Sequence, residues 1–197
     1  GCRAFSTKKA ALSIKRSLKE SGIKMNFVLP KTGANRLNSA QVIFNNLTDS
    51  TNTEVNIVKL DNIYFLGRTC QVQDIQAYEL RDTSRPTRDA KIGMLPPKLA
   101  QTMLNLVPTF TSNKPKIYDP FCGMGTVLQE GWLRGYEMVG SDSEEAMVEA
   151  SINNMEWISS NFKVDEKLAP QVFLHDVREA LPDEFVSALD AVVAEPY

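Results

Sequence analysis

A chain of 197 residues with 43% hydrophobic and 23% charged content is a globular protein of one or two domains, not a disordered tail, a collagen or a disulfide scaffold. No apolar run approaches the roughly 18 residues of a membrane-spanning helix, and Cys2, Cys70 and Cys122 show no CxxC spacing, so neither a membrane nor a metal partner is expected and a reducing, cytoplasmic setting is. The net charge of −2 hides an imbalance: residues 1–116 hold 18 Lys/Arg against 8 Asp/Glu, and residues 117–197 hold 4 against 16. So uneven a split points to two modules, the basic one suited to a polyanion such as RNA and the acidic one to something else.

In the basic half, Ala11, Ile14 and Leu18 recur at helical spacing within 7–20, with Lys8, Lys15 and Lys19 on another stripe and Gly22 as a stop. Residues 1–36 carry nine basic side chains against one acid, Glu20, a density that predicts a phosphate-contacting surface. Residues 24–29, KMNFVL, read as a short strand, and 40–47 as a short helix capped by Ser39. The runs 54–60 and 63–72 are β-rich and joined by Asp61-Asn62, a hairpin signal. Residues 74–93 are polar, broken by Pro86 and Gly93, and read as a linker. Pro96-Pro97 then opens a helix with Leu99, Met103 and Leu106 on one face, which Pro108 ends.

From 115 onward, strands and helices alternate: strands at 116–119, 137–142, 171–175 and 189–194, helices at 123–134 and 144–161, the second capped by Ser143. That alternation predicts a parallel sheet with right-handed crossovers, in which ligands sit at the carboxyl ends of the strands. The last strand, LDAVVA, is apolar enough for a central position. Each of the four strands runs into an acid: Asp119, Asp142, Asp176 and Glu195.

The first strand leads into Asp119-Pro120-Phe121-Cys122-Gly123-Met124-Gly125-Thr126, where Gly123 and Gly125 let the backbone come close to a ligand. A dinucleotide fold wants a third glycine where Leu128 stands, and Asp119 would repel a pyrophosphate. A P-loop would need Gly-Lys-Ser/Thr after the turn, and none is present. A cationic nucleoside fits instead. S-adenosylmethionine places its ammonium on one carboxylate, its ribose hydroxyls on a second and its adenine amine on a third.

The segments RPTRDAKIGMLPPKLAQTMLNL (85–106), YDPFCGMGTVLQEG (118–131), GSD (140–142), HDV (175–177) and AEPY (194–197) resemble the THUMP-domain tRNA guanosine N2-methyltransferases, a family of Rossmann-like S-adenosylmethionine-dependent methyltransferases. The resemblance implies an α/β architecture. A small THUMP-like RNA-binding module at 1–80 and a linker at 81–93 would precede a methyltransferase sheet at 94–197. That sheet breaks off after about its fourth strand, so the chain is expected to be a fragment. The resemblance also implies roles. Asp119, with the backbone of Phe121, Gly123 and Gly125, would hold the methionine part of the cofactor. Asp142 would bind the ribose, Asp176 would accept from the adenine amine with Val177 packing nearby, and Met94 and Leu95 would close over the cofactor.

Glu195, Pro196 and Tyr197 stand at the catalytic motif, where an acceptor holds the amine and an aromatic stacks on the extruded base. The family usually carries Asp or Asn, two prolines and an aromatic; this chain has Glu195, a single proline and Tyr197. Members act on the guanosine at position ten of tRNA, gripped through THUMP, so the expected partner is tRNA, met by the basic amino-terminal half. Methylation of ribosomal RNA or DNA, and a catalytically silent RNA-binding module, are the alternative readings. Cys122 and His175 are expected to be packing residues without a chemical role.

Overall fold

The computed structural model describes residues 7–30, 34, 36–89, 94–108, 114–186 and 189–196. Two compact units divide the chain, Gly1–Ile75 and Gln76–Tyr197.

The first unit holds helices α1 (Thr7–Glu20) and α2 (Ser39–Phe44) and an antiparallel hairpin of β1 (Val55–Leu60) and β2 (Ile63–Arg68). Asn38, not Ser39, caps α2. Its Oδ1 accepts from Gln41 N at 2.8 Å, and Gln41 Oε1 accepts from Asn38 N at 3.2 Å, a reciprocal capping box. The helix stops before the expected Leu47 because Asn46 turns left-handed, at φ 50°, and Leu47 N donates back to Val42 O at 3.0 Å. Asp61, also at φ 50°, makes the tight turn that the Asp-Asn pair predicts. Residues 24–29 form no strand: no neighbouring ladder among the described residues takes up their backbone groups, and an apolar run alone does not make a strand. Both faces of the hairpin are exposed, apart from the partly covered Asn56.

The second unit contains α3 (Ile75–Thr83), α4 (Pro97–Leu104), β3 (Lys116–Asp119), α5 (Thr126–Trp132), β4 (Glu137–Asp142), α6 (Glu145–Asn161), β5 (Gln171–Leu174), α7 (Asp183–Val186) and β6 (Ala191–Val192), with one 3-10 turn at Glu166–Leu168. The sheet is parallel throughout, in the order β5-β4-β3-β6. The alternation of strand and helix thus builds the α/β layer that the sequence predicts. β6 pairs with β3, and Val193, which follows it, is buried in the core. One expectation is corrected: α6 begins after Glu144, whose N donates to Asp142 Oδ1 at 3.0 Å, so Ser143 is not the cap.

The core packs Ala100 and Leu104 of α4, Leu128 and Trp132 of α5 and Ile158 of α6 around Ile117 of β3. The fit is tight at Gly140 of β4, where a Cβ would lie 2.5 Å from Leu128 Cδ1 and 3.1 Å from Cys122 Cβ. This close packing of α5 on β3 and β4 seats the glycine turn at the carboxyl edge of the sheet.

Candidate functional site

β3 ends at Asp119, which is 2% exposed yet forms part of a cavity wall. Its Oδ1 accepts from Phe121 N at 3.1 Å. Burial raises its pKa from 3.8 to about 7, against the lowering effect of that hydrogen bond; the charges of Asp142 and Glu195 push in the same direction as burial. β4 lies beside β3 with Asp119 level with Gly140, so Asp142 stands two residues further out. Asp142 Oδ2 accepts from Gly123 N at 3.0 Å, and Cys122 N donates to Ser141 O at 2.9 Å. The turn between β3 and α5 is therefore stitched to the end of β4. Gly123 and Gly125 take φ +49° and +80°, the left-handed region that glycine adopts most readily. At Gly123 a Cβ would meet nothing within 4 Å, so its backbone borders open space.

Asp119, Gly123, Asp142 and Glu195 line a cavity of about 300 Å³, together with Met94, Leu95 and Phe121. A second, of about 240 Å³, adjoins it; Phe121 and Ser143 belong to both, and Asp176, Val177 and Arg178 to the second. Gly125 lines neither, and its left-handed turn shapes the loop from behind. The structure thus gathers Asp119, Phe121, Gly123, Asp142 and Glu195 around one space and Asp176 and Val177 around the next.

Asp176 is not a free acceptor. Its Oδ1 accepts from Arg178 N at 3.0 Å and Arg178 Nε at 2.9 Å, and its Oδ2 from Nε at 3.0 Å and from Nη2. Three nitrogens of Arg178 thus engage both carboxylate oxygens, Nε shared between them, and the guanidinium holds the pKa of Asp176 well below the usual carboxylate range. Arg178 sits two residues from the acid it captures and is a functional neighbour that the sequence reading missed. Glu195 follows β6 and reaches the larger cavity, whereas Pro196 is exposed and borders neither. Tyr197 lies outside the described residues. Cys122 packs in the core at the edge of the larger cavity, and burial pushes its thiol pKa far up, away from the thiolate form.

The stretch expected as a linker carries buried arginines. Arg81 of α3 and Arg85 are 7% and 3% exposed. Arg81 Nε donates to Glu130 Oε1 at 2.6 Å, and Glu130 Oε2 also accepts from Gln101 Nε2 at 2.6 Å. Arg85 Nη1 donates to Thr126 Oγ1 at 2.8 Å, while its Nε and Nη2 are buried without an acceptor. No group of three or more potential metal ligands occurs among the described residues, and no described helix is long and apolar enough to cross a membrane.

Residues 85–175 match the family model described as UPF0020, RMKL-like, methyltransferase domain. The tRNA (guanine(10)-N2)-dimethyltransferase of Methanothermobacter thermautotrophicus is 35% identical over 104 residues, covering 53% of this chain and 27% of that protein. The protein of the same name from Pyrococcus abyssi is 26% identical over 170 residues, covering 83% of this chain and 48% of that one. Among solved structures, the Pyrococcus abyssi tRNA (uracil-54, C5)-methyltransferase in complex with S-adenosyl-L-homocysteine aligns at a TM-score of 0.34 with 21% identity, over 66% of this chain and 26% of that chain. The chain spans 27% and 48% of the length of these two curated relatives.

Proposed function

We propose that this chain, whose residues 85–175 carry an RMKL-like methyltransferase domain, takes part in S-adenosylmethionine-dependent methylation of the exocyclic N2 amine of a guanosine in tRNA. The observation that carries the reading is the wall of the larger cavity, where Asp119, Asp142 and Glu195 converge beside an open glycine backbone. Together with Glu144, four acidic residues line this one space; they favour a cationic ligand and repel a pyrophosphate, so a sulfonium nucleoside fits these residues and a dinucleotide does not.

In this reading Asp119 takes the ammonium. Its buried carboxylate gains strongly from a cation, because a charge in a poorly solvated place is stabilised chiefly by its partner. The Gly123 backbone passes close to the amino-acid portion, with no side chain between. Asp142, already held by Gly123 N and Glu144 N, keeps lone pairs for ribose hydroxyls. Phe121 and Val177 give the second cavity apolar walls for a flat base, and Asp176 reaches the adenine amine only as Arg178 yields; that ion pair is exposed, so yielding costs little. When bound, the cofactor supplies an electrophilic methyl group. Glu195 accepts a hydrogen bond from the guanine amine and holds it in line, Pro196 fixes the backbone after it, and Tyr197 stacks on the base.

Contact with tRNA is assigned to the basic amino-terminal half, whose described α1 carries Lys8, Lys9, Lys15, Arg16 and Lys19, and residues 1–80 are read as the THUMP-like module with 81–93 as its connection to the methyltransferase domain. The test titrates the chain and its Asp142→Ala variant with S-adenosylhomocysteine and with NAD, then assays methyl transfer to tRNA transcripts carrying guanosine or inosine at position ten. Inosine lacks the N2 amine. S-adenosylhomocysteine binding weakened about tenfold or more by Asp142→Ala, with NAD inert and methyl transfer lost on the inosine transcript, supports the reading. NAD binding, or equal methylation of both transcripts, refutes it.

A further inference from the structure

We propose that residues 81–89 form a strap that sets the shape of the glycine turn, with Asn154 and Arg85 as positioning residues for the amino-acid end of the cofactor. The inference rests on the cofactor reading above. Three anchors hold the strap to the two helices that flank the turn. Arg81 grips Glu130, which is completely buried on α5. Arg85 grips Thr126, the first residue of α5 and a wall residue of the larger cavity. The third anchor is Asn154, completely buried on α6.

Asn154 behaves like a piece of backbone. Its Oδ1 accepts from Thr87 N at 3.1 Å, and its Nδ2 donates to Thr87 O at 3.1 Å and to Met124 O at 2.9 Å. Met124 lies between the two left-handed glycines. One side chain therefore fixes both the strap and the carbonyl at the centre of the turn. The turn has no slack toward α6 either, since a Cβ on Gly125 would lie 2.4 Å from Ser151 Oγ.

Packing alone does not explain this arrangement. An aliphatic side chain at position 85 would fill space without burying two nitrogens whose N–H groups find no acceptor, which costs stability. What the arginine adds is its bond to Thr126. Neither Arg85 nor Asn154 lines either of the two cavities described above, so both act through the turn rather than on a ligand there. Slackening the strap displaces Gly123 N and Phe121 N, which hold Asp142 and Asp119 in place. It leaves Asp176 and Val177, at the end of β5, where they are.

The difference between the two ends of the ligand supplies the test. The full chain, Asn154→Ala and Arg85→Met are titrated with S-adenosylhomocysteine and with 5′-methylthioadenosine, which keeps the nucleoside and lacks the amino acid. We expect S-adenosylhomocysteine affinity to fall about tenfold in both variants while methylthioadenosine affinity stays within about twofold. Equal losses for the two ligands, or no loss despite a lowered melting temperature, would overturn the proposal by showing a purely structural role. If Asn154→Ala does not fold, Arg85→Met decides on the same ratio. An unsubstituted chain that binds neither ligand refutes the cofactor reading, and this inference falls with it.

Discussion

Asp119→Asn makes the chain more stable at alkaline pH while abolishing its ligand binding. The buried carboxylate has a pKa of about 7 where 3.8 is usual, so the folded chain binds more protons than the unfolded chain between those values. The contribution of this one group to stability is then fully present below about pH 4 and is lost as pH rises through 7. A rise from 3.8 to about 7, at about 1.36 kcal/mol per unit, corresponds to a penalty on the order of 4 kcal/mol at pH 8. Asparagine is neutral, nearly isosteric and able to accept from Phe121 N, so it removes the penalty and keeps the hydrogen bond. For a chain of this length that is a gain of roughly 10 °C in melting temperature. The assay is thermal or urea unfolding of both proteins from pH 5 to 8.5, alongside calorimetric titration with S-adenosylhomocysteine. The expected result is a stability gain that is large at pH 8, shrinks toward pH 5 and accompanies loss of binding. A variant less stable than the parent at pH 8, or a gain independent of pH, would refute the reasoning.

The same carboxylate predicts linked protons. A ligand ammonium pulls the Asp119 pKa down, so binding of S-adenosylhomocysteine at pH 6 releases a proton and its affinity rises from pH 6 to 8; titration in buffers of different ionisation enthalpy reads this directly. Gly140→Ala drives a methyl group into Leu128 and Cys122, and the unfolding free energy drops by about 1–3 kcal/mol. Arg81→Met leaves the completely buried Glu130 without its charge partner, a loss of about 3–5 kcal/mol in urea unfolding, and Glu130→Gln in the same background restores part of it.

Local signals carried most of the fold. The Asp61-Asn62 turn, the strand–helix alternation after 115 and the acid at each strand end all depend on neighbours in sequence, and period and punctuation make them visible. Asn38 was equally legible, since Asn followed by Gln three residues on is a capping box; the adjacent serine drew the cap one position too far. Arg178 was legible too, two residues beyond Asp176. The strap was not. Its bonds join Arg85 to Thr126, Arg81 to Glu130 and Thr87 to Asn154, which are 41, 49 and 67 residues apart. A buried arginine and an exposed one look alike until the fold supplies the acid, so residues 81–89 scanned as polar and solvated. Expecting KMNFVL at 24–29 to be a strand went wrong for a related reason: a strand is a property of two segments, and the sequence of one does not reveal whether the other is there.

The hairpin at 55–68 has a consequence for how the molecule breathes. An antiparallel pair exposed on both faces has little burial to oppose its conformational entropy, and isolated hairpins are marginal in water. Its amides should exchange with solvent at a free energy of opening near zero, while those of Ile117 and Val139, inside the packed sheet, wait for the second unit to unfold as a whole. Exchange would therefore divide the chain into a fast part and a slow part. Proteases would find the fast part first, and a partner that bound the hairpin would announce itself by protecting those amides.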